Sequence, residues 1–226
     1  KQLGTISSYT LNEVPMISKG LELNAFRAPT DNDKQVDGDW YQKGLYQMTL
    51  ESGHWNVRKE DNKVTLQIEN LYRGKMGFDY RTNIEYTVAA DGSILVNSTI
   101  IPSTKGVIIP RIGYRMELPE GFERMRWYGR GPLENYVDRK DATYVGVYDE
   151  LVSDQWVNYV RAQEMGNRED LRWISITNPD GIGFVFIAGD KMSASALHAT
   201  AQDMVDPANH RRLLHKYEVP MRKETV

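Results

Sequence analysis

The chain has 226 residues, a net charge of −3, 40% hydrophobic and 26% charged residues, and no cysteine. These values fit a globular chain that can bury a sizeable core, read as one domain over residues 1–226. They exclude a basic stripe that could track nucleic acid, an apolar run long enough to cross a membrane, disulfide frameworks, cysteine-ligated zinc and thiol nucleophiles.

The first stretch with a distinctive pattern is Phe26–Lys34, FRAPTDNDK. Asp31, Asn32 and Asp33 stand in a row there and could ligate a hard cation, hold a sugar hydroxyl or close a loop. Asp39–Met48, DWYQKGLYQM, has helical patterning. His54–Glu60 and Lys63–Tyr72 alternate polar and apolar residues around an Asp-Asn-Lys turn, which predicts a hairpin. Tyr80–Val88 and Ile94–Ile101 flank Ala90-Asp91-Gly92-Ser93, where Asp-Gly suits the positive φ of a tight turn. Arg172–Asn178 and Gly183–Gly189 flank Asn178-Pro179-Asp180-Gly181, a third turn signal. In Thr200–Tyr217 a second helical pattern is broken by Pro207, so an Asp- or Thr-capped turn and a short run are expected. Many short strands, turn-rich joints and few helices predict an all-β sandwich of antiparallel sheets.

Residues able to carry chemistry are sparse. Of the four histidines, His54, His198, His210 and His215, only the loose pair His210/His215 comes near metal-ligand spacing, which supports a histidine metal site weakly. A glycosidase needs two carboxyl groups across the scissile bond, and Glu134 in GRGPLENYVDR and Glu164 in VRAQEMGNR are the acids best placed by motif. Arginine and asparagine surround both, a setting that holds a loop carboxylate ionised. Nucleophile-elbow, phosphate-loop and dinucleotide patterns are absent. Five Trp and 13 Tyr could stack on sugars, and equally fill a sandwich core. Sugar-contact or pocket candidates are Arg27, Asp31, Asn32, Asp33, Arg111, Glu134, Asn135, Glu164, Asn167 and Arg168, and the competing reading is a hydrogen-bond network that fixes loops.

FRAPTDND, WYGRGPLENYVDR and YVRAQEMGNREDLRWISITN, in this order, resemble the C-terminal (small-chain, fifth) domain of glycoside hydrolase family 2 bacterial beta-galactosidases over nearly the whole chain. The resemblance implies a galactose mutarotase-like supersandwich. It implies that the catalytic glutamates of a retaining hydrolase, with magnesium and sodium sites beside them, lie on a TIM barrel outside this chain, leaving no catalytic residue, metal or cofactor here. The implied partners are the barrel and other domains of the same polypeptide, and through them a beta-galactoside; the parent could be a homo-oligomer. No nucleic-acid or membrane partner is expected, and bacterial cytoplasm and periplasm both remain open.

In the family the segment after DND helps shape the pocket, here Lys34–Asp39, which is short and has Gln35 where some members have glycine. A late pocket tryptophan would fall at or beyond Val226. The start at Lys1 and the strand-like Val226 suggest a piece of a longer chain, truncated at its C-terminal end. On this reading FRAPTDNDK is a corner: Phe26 anchors it, Pro29 sets the turn, and Asp31, Asn32 and Asp33 hold backbone N–H groups or face Arg27. The alternatives are a free-standing carbohydrate-binding module and an aldose 1-epimerase-like protein, the latter needing a histidine and a carboxylate about one sugar.

Overall fold

The structure is a computed structural model that describes residues 4–226 except Val36; the side chains of Lys34, Gln35, Asp37 and Ser52 also lie outside the described residues. Among the described residues it is all-β apart from short helical segments between Asp31 and Gln47 and before Trp156. The strands are β1 (Thr10–Leu11), β2 (Val14–Pro15), β3 (Lys19–Asn24), β4 (Thr49–Glu60), β5 (Lys63–Arg73), β6 (Asp79–Ala89), β7 (Ile94–Pro102), β8 (Gly113–Glu117), β9 (Arg124–Gly131), β10 (Tyr144–Leu151), β11 (Arg168–Thr177) and β12 (Gly183–Ala194). Two four-stranded antiparallel sheets dominate, ordered β4-β5-β6-β7 and β10-β9-β11-β12. The pairs β1-β2 and β3-β8 form smaller sheets.

The chain forms two compact units. The first comprises the described residues before Ser8, Leu21–Phe26 and Asp31–Tyr114; the second comprises Ser8–Gly20, Arg27–Thr30 and Arg115–Val226.

In the first unit the β4–β7 meander follows the period of two in its sequence. Leu66, Ile68, Asn70 and Tyr72 on β5 lie opposite Tyr86, Ile84, Thr82 and Tyr80 on β6, so one face collects the large side chains. Ile68, Ile84 and Tyr86 form its core, with Ile6, Leu21, Leu66, Ile94 and Tyr114 packed against them. Burial pushes the Tyr80 phenol up to about 12 and does the same for Tyr86. The predicted Asp61-Asn62 and Asp91-Gly92 turns are present, with Gly92 at φ 85°.

The helix expected over Asp39–Met48 is corrected. An α-helix, α1, spans Asp37–Gln42 and a separate 3-10 turn spans Leu45–Gln47. Gly44 sits between them in the left-handed region at φ 75°, which a continuing helix cannot adopt. Phe26 is buried and meets the Tyr41 and Tyr46 rings edge-on, at 5.8 and 5.3 Å between centroids.

In the second unit Met125 and Trp127 on β9 and Leu171, Ile174 and Ile176 on β11 point to one side, where they join Met16, Leu118, Phe122, Val152 and Ala196. Burying side chains of this size contributes about 1.5–3 kcal/mol each. The predicted hairpin β11–β12 turns at Asn178–Gly181, with Gly181 at φ 79°. A smaller cluster gathers Ala28, Ala162, Met165, Leu197, Ala199, Met204, Leu214 and Val219.

The helical run expected within Thr200–Tyr217 does not form, although the capped turn does. The Asp203 carboxylate accepts from the Thr200 N–H at 2.7 Å and hydroxyl at 2.8 Å. Burial alone would raise the Asp203 carboxyl, but Arg222 and these Thr200 donors outweigh it and hold it below the ordinary range. Beyond it the chain turns back at Pro207, with Asp206 accepting from the Ala208 and Asn209 N–H groups and Val205 bridging Leu213.

Candidate functional site

Residues 132–143 link β9 to β10, and residues 152–167 link β10 to β11. Both connections carry candidate residues, and the structure joins them in one polar corner of the second unit. Arg130, the arginine of the Gly-Arg-Gly-Pro run, sets the first connection from inside. Its Nε donates to Asp170 at 2.6 Å, and its Nη1 donates to the Lys140 and Thr143 carbonyls at 3.2 and 2.9 Å. A Cβ on Gly131 would fall 2.7 Å from the Tyr148 ring and 3.0 Å from Trp127, so only glycine lets β9 lie this close.

Glu134 is the hub of the corner. Its Oε1 accepts from Arg139 and, at 2.5 Å, from the Tyr159 hydroxyl; its Oε2 accepts the Gly166 N–H at 2.8 Å. Burial and this carboxylate raise the Tyr159 phenol, and the Tyr159 and Glu134 contacts raise Arg139 above its usual value.

Asn135 and Asn167, both buried, grip each other's main chain. The Asn135 N–H donates to the Asn167 carbonyl at 2.9 Å, and Asn167 Nδ2 donates to the Asn135 carbonyl at 2.8 Å. Asn135 Oδ1 accepts the Glu169 N–H at 2.9 Å, and its Nδ2 donates to the Leu133 carbonyl at 2.9 Å.

Arg168 opens β11 and is buried over the face of Trp127, 4.9 Å from the ring centroid. Its Nη2 donates to Gln155 at 2.5 Å and to Glu150 at 3.4 Å. Desolvation lowers its basicity, and the Glu150 and Glu134 charges oppose that fall.

Of the ten candidates, Glu134, Asn135, Asn167 and Arg168 thus form one hydrogen-bonded corner. Glu164 is buried in the same unit, and its N–H donates to the Ala28 carbonyl at 3.1 Å. Arg27, half-buried, also belongs to that unit. Asp31, Asn32, Asp33 and Arg111 belong to the first unit, where Asp31–Gln35 form a 3-10 helix with Asp31 and Asn32 exposed and Asp33 buried. In the pocket-shaping segment Lys34–Asp39, Val36 and the side chains of Lys34, Gln35 and Asp37 lie outside the described residues.

Sequence reading did not single out Arg130, Gln155, Tyr159 or Trp127. Arg130 carried a local signal, a charge between two glycines, whereas the Tyr159 contact with Glu134 and the Gln155 and Trp127 contacts with Arg168 join residues distant in sequence. One histidine–carboxylate pair was also missed. His198 Nε2 meets Glu123, while its Nδ1 lies 3.0 Å from the Glu224 carbonyl, so both ring nitrogens are committed to protein groups. Among the described residues, no three or more histidines and carboxylates gather as a metal site.

These features describe an all-β chain in which two of the three marked motifs meet in one hydrogen-bonded corner. The family model described as beta galactosidase small chain matches residues 1–226, so the chain belongs to that family. It is similar to a beta-galactosidase of Priestia megaterium, 32% identical over 190 residues, covering 82% of this chain and 18% of the relative. A beta-galactosidase of Bifidobacterium adolescentis is 30% identical over 228 residues, covering 96% and 21%. One from Vibrio cholerae is 26% identical over 221 residues, covering 93% and 21%. The chain spans about a fifth of the length of these curated relatives.

Proposed function

We propose that this chain is the non-catalytic C-terminal domain of a family 2 beta-galactosidase, with a galactose mutarotase-like supersandwich fold. It packs on the catalytic barrel of the same polypeptide and helps shape the pocket for terminal beta-D-galactosides. The saturation of Glu134 carries this reading. Retaining hydrolysis needs one carboxyl group to supply a proton and a second to attack. A carboxylate already accepting from Arg139, Tyr159 and Gly166 is suited to neither task. Catalytic acids, and the magnesium and sodium implied by family resemblance, then belong to the barrel. Asp33 and the segment after it are the part of this chain that would reach the pocket.

The test is turnover of a nitrophenyl galactoside by the purified chain and by the whole polypeptide that carries it. Activity is expected in the whole polypeptide alone, and turnover by the chain alone, abolished by Glu134→Gln, overturns the reading. Calorimetry of the chain with millimolar galactose or lactose should give no heat; a binding isotherm would favour a sugar-binding module.

A further inference from the structure

The two large sheets differ in what their outward faces carry. On β4–β7 the middle of the face away from the core is polar: Gln67 donates to Glu85 at 2.7 Å, Arg58 lies 3.7 Å from the same carboxylate, and exposed Leu95 and Ile101 stand apart on the last strand without forming a row across the sheet. On β10-β9-β11-β12 a single register row, Val147, Tyr128, Trp173 and Ile187, crosses all four strands. Its neighbours Trp127 and Ile174 are buried, so the row faces outward. Ile187 is 76% exposed, Val147 53% and Tyr128 38%, with Val145 and Val185 extending the apolar surface. The Arg172 guanidinium lies 5.3 Å from the Tyr128 centroid. Arg124 and Arg126 alternate with buried Met125 and Trp127, share the outward face, and make no side-chain ion pair among the described residues.

We infer that this face docks another domain of the same polypeptide, through a surface with an apolar centre and acidic groups opposite Arg124 and Arg126. The inference rests on the proposed function. Monomers rarely leave a contiguous apolar face open, and Tyr, Trp and Arg are the residues that most often anchor protein interfaces. The occupant follows from length: the relatives devote about a fifth of their chains to the counterpart of this one, and the remainder can supply the cover.

The absence of cysteine in this chain allows a thiol test in the whole polypeptide. Ile187→Cys and, opposite Glu85 on the outward face of the other sheet, Asn97→Cys are labelled with a maleimide, read by peptide mass spectrometry and normalised to rates in denaturant. Ile187→Cys should label at least tenfold more slowly than Asn97→Cys, whatever the dilution or the presence of millimolar lactose. Equal rates overturn the inference. Protection lost on dilution replaces the occupant with a second copy, and protection that appears only with lactose replaces it with sugar. Turnover by the chain alone would undo the proposed function without altering this ratio, so the two failures are separable.

Discussion

Glu134 shows how a motif acid can be read for either of two jobs, and how its donors decide between them. The sequence offered a carboxylate amid arginine and asparagine, which favoured loop fixing over catalysis, and the structure gives that carboxylate three donors, Arg139, Tyr159 and the Gly166 N–H. Tyr159 and Gly166 were not legible as its partners, because they lie in a different connection and meet it only once β9, β10 and β11 have paired. In Glu134→Gln the amide NH₂ confronts one of the three donors and strands it. Leaving a buried donor unsatisfied costs about 1–3 kcal/mol. A lower urea midpoint at unchanged m-value is therefore expected, while an unaltered midpoint would show that the carboxylate contributes little to the fold.

Among elements, the hairpins closed by short turns were legible, because Asp-Gly or Pro-Asp-Gly lies between two runs of period two. The β9–β10 pair was not, since twelve residues, 132–143, separate its strands and no turn signal announces the partner. The Asp39–Met48 helix was over-read because apolar spacing persists across Gly44, whose left-handed backbone ends it. Gly131 offers the test of how closely β9 must approach its neighbours. A methyl there meets Tyr148 and Trp127, an overpacking that costs about 1–3 kcal/mol. Gly131→Ala should lower the melting temperature by several degrees. Gly189→Ala, whose Cβ would meet nothing within 4 Å, should leave it nearly unchanged and serves as the control.

For the molecule as a whole, composition and strand count conveyed an all-β antiparallel architecture, but not the two units. Nothing local marks them, because there is no linker and their membership is set by which distant strands pair. Each unit has its own apolar core, around Ile84 in one and around Trp127 and Leu171 in the other. Ile84→Ala removes a fully buried side chain at a cost of about 2–5 kcal/mol. Hydrogen exchange should then quicken in β5 and β6 while β9 and β11 keep their rates, as expected when regions open separately. Uniform acceleration would instead make the chain one cooperative whole.

The path of the chain through those units bears on any attempt to dissect it. The polypeptide enters the second unit at Ser8, leaves at Leu21, returns for Arg27–Thr30, and comes back at Arg115 to stay. No single cut therefore separates the units. A piece running from residue 115 to 226 would forfeit Met16 from the Trp127 core and Ala28 from the Met165 cluster. Genetic excision at Tyr114 thus yields an incomplete module, and a boundary drawn where β8 crosses from one unit to the other would be a boundary in name only.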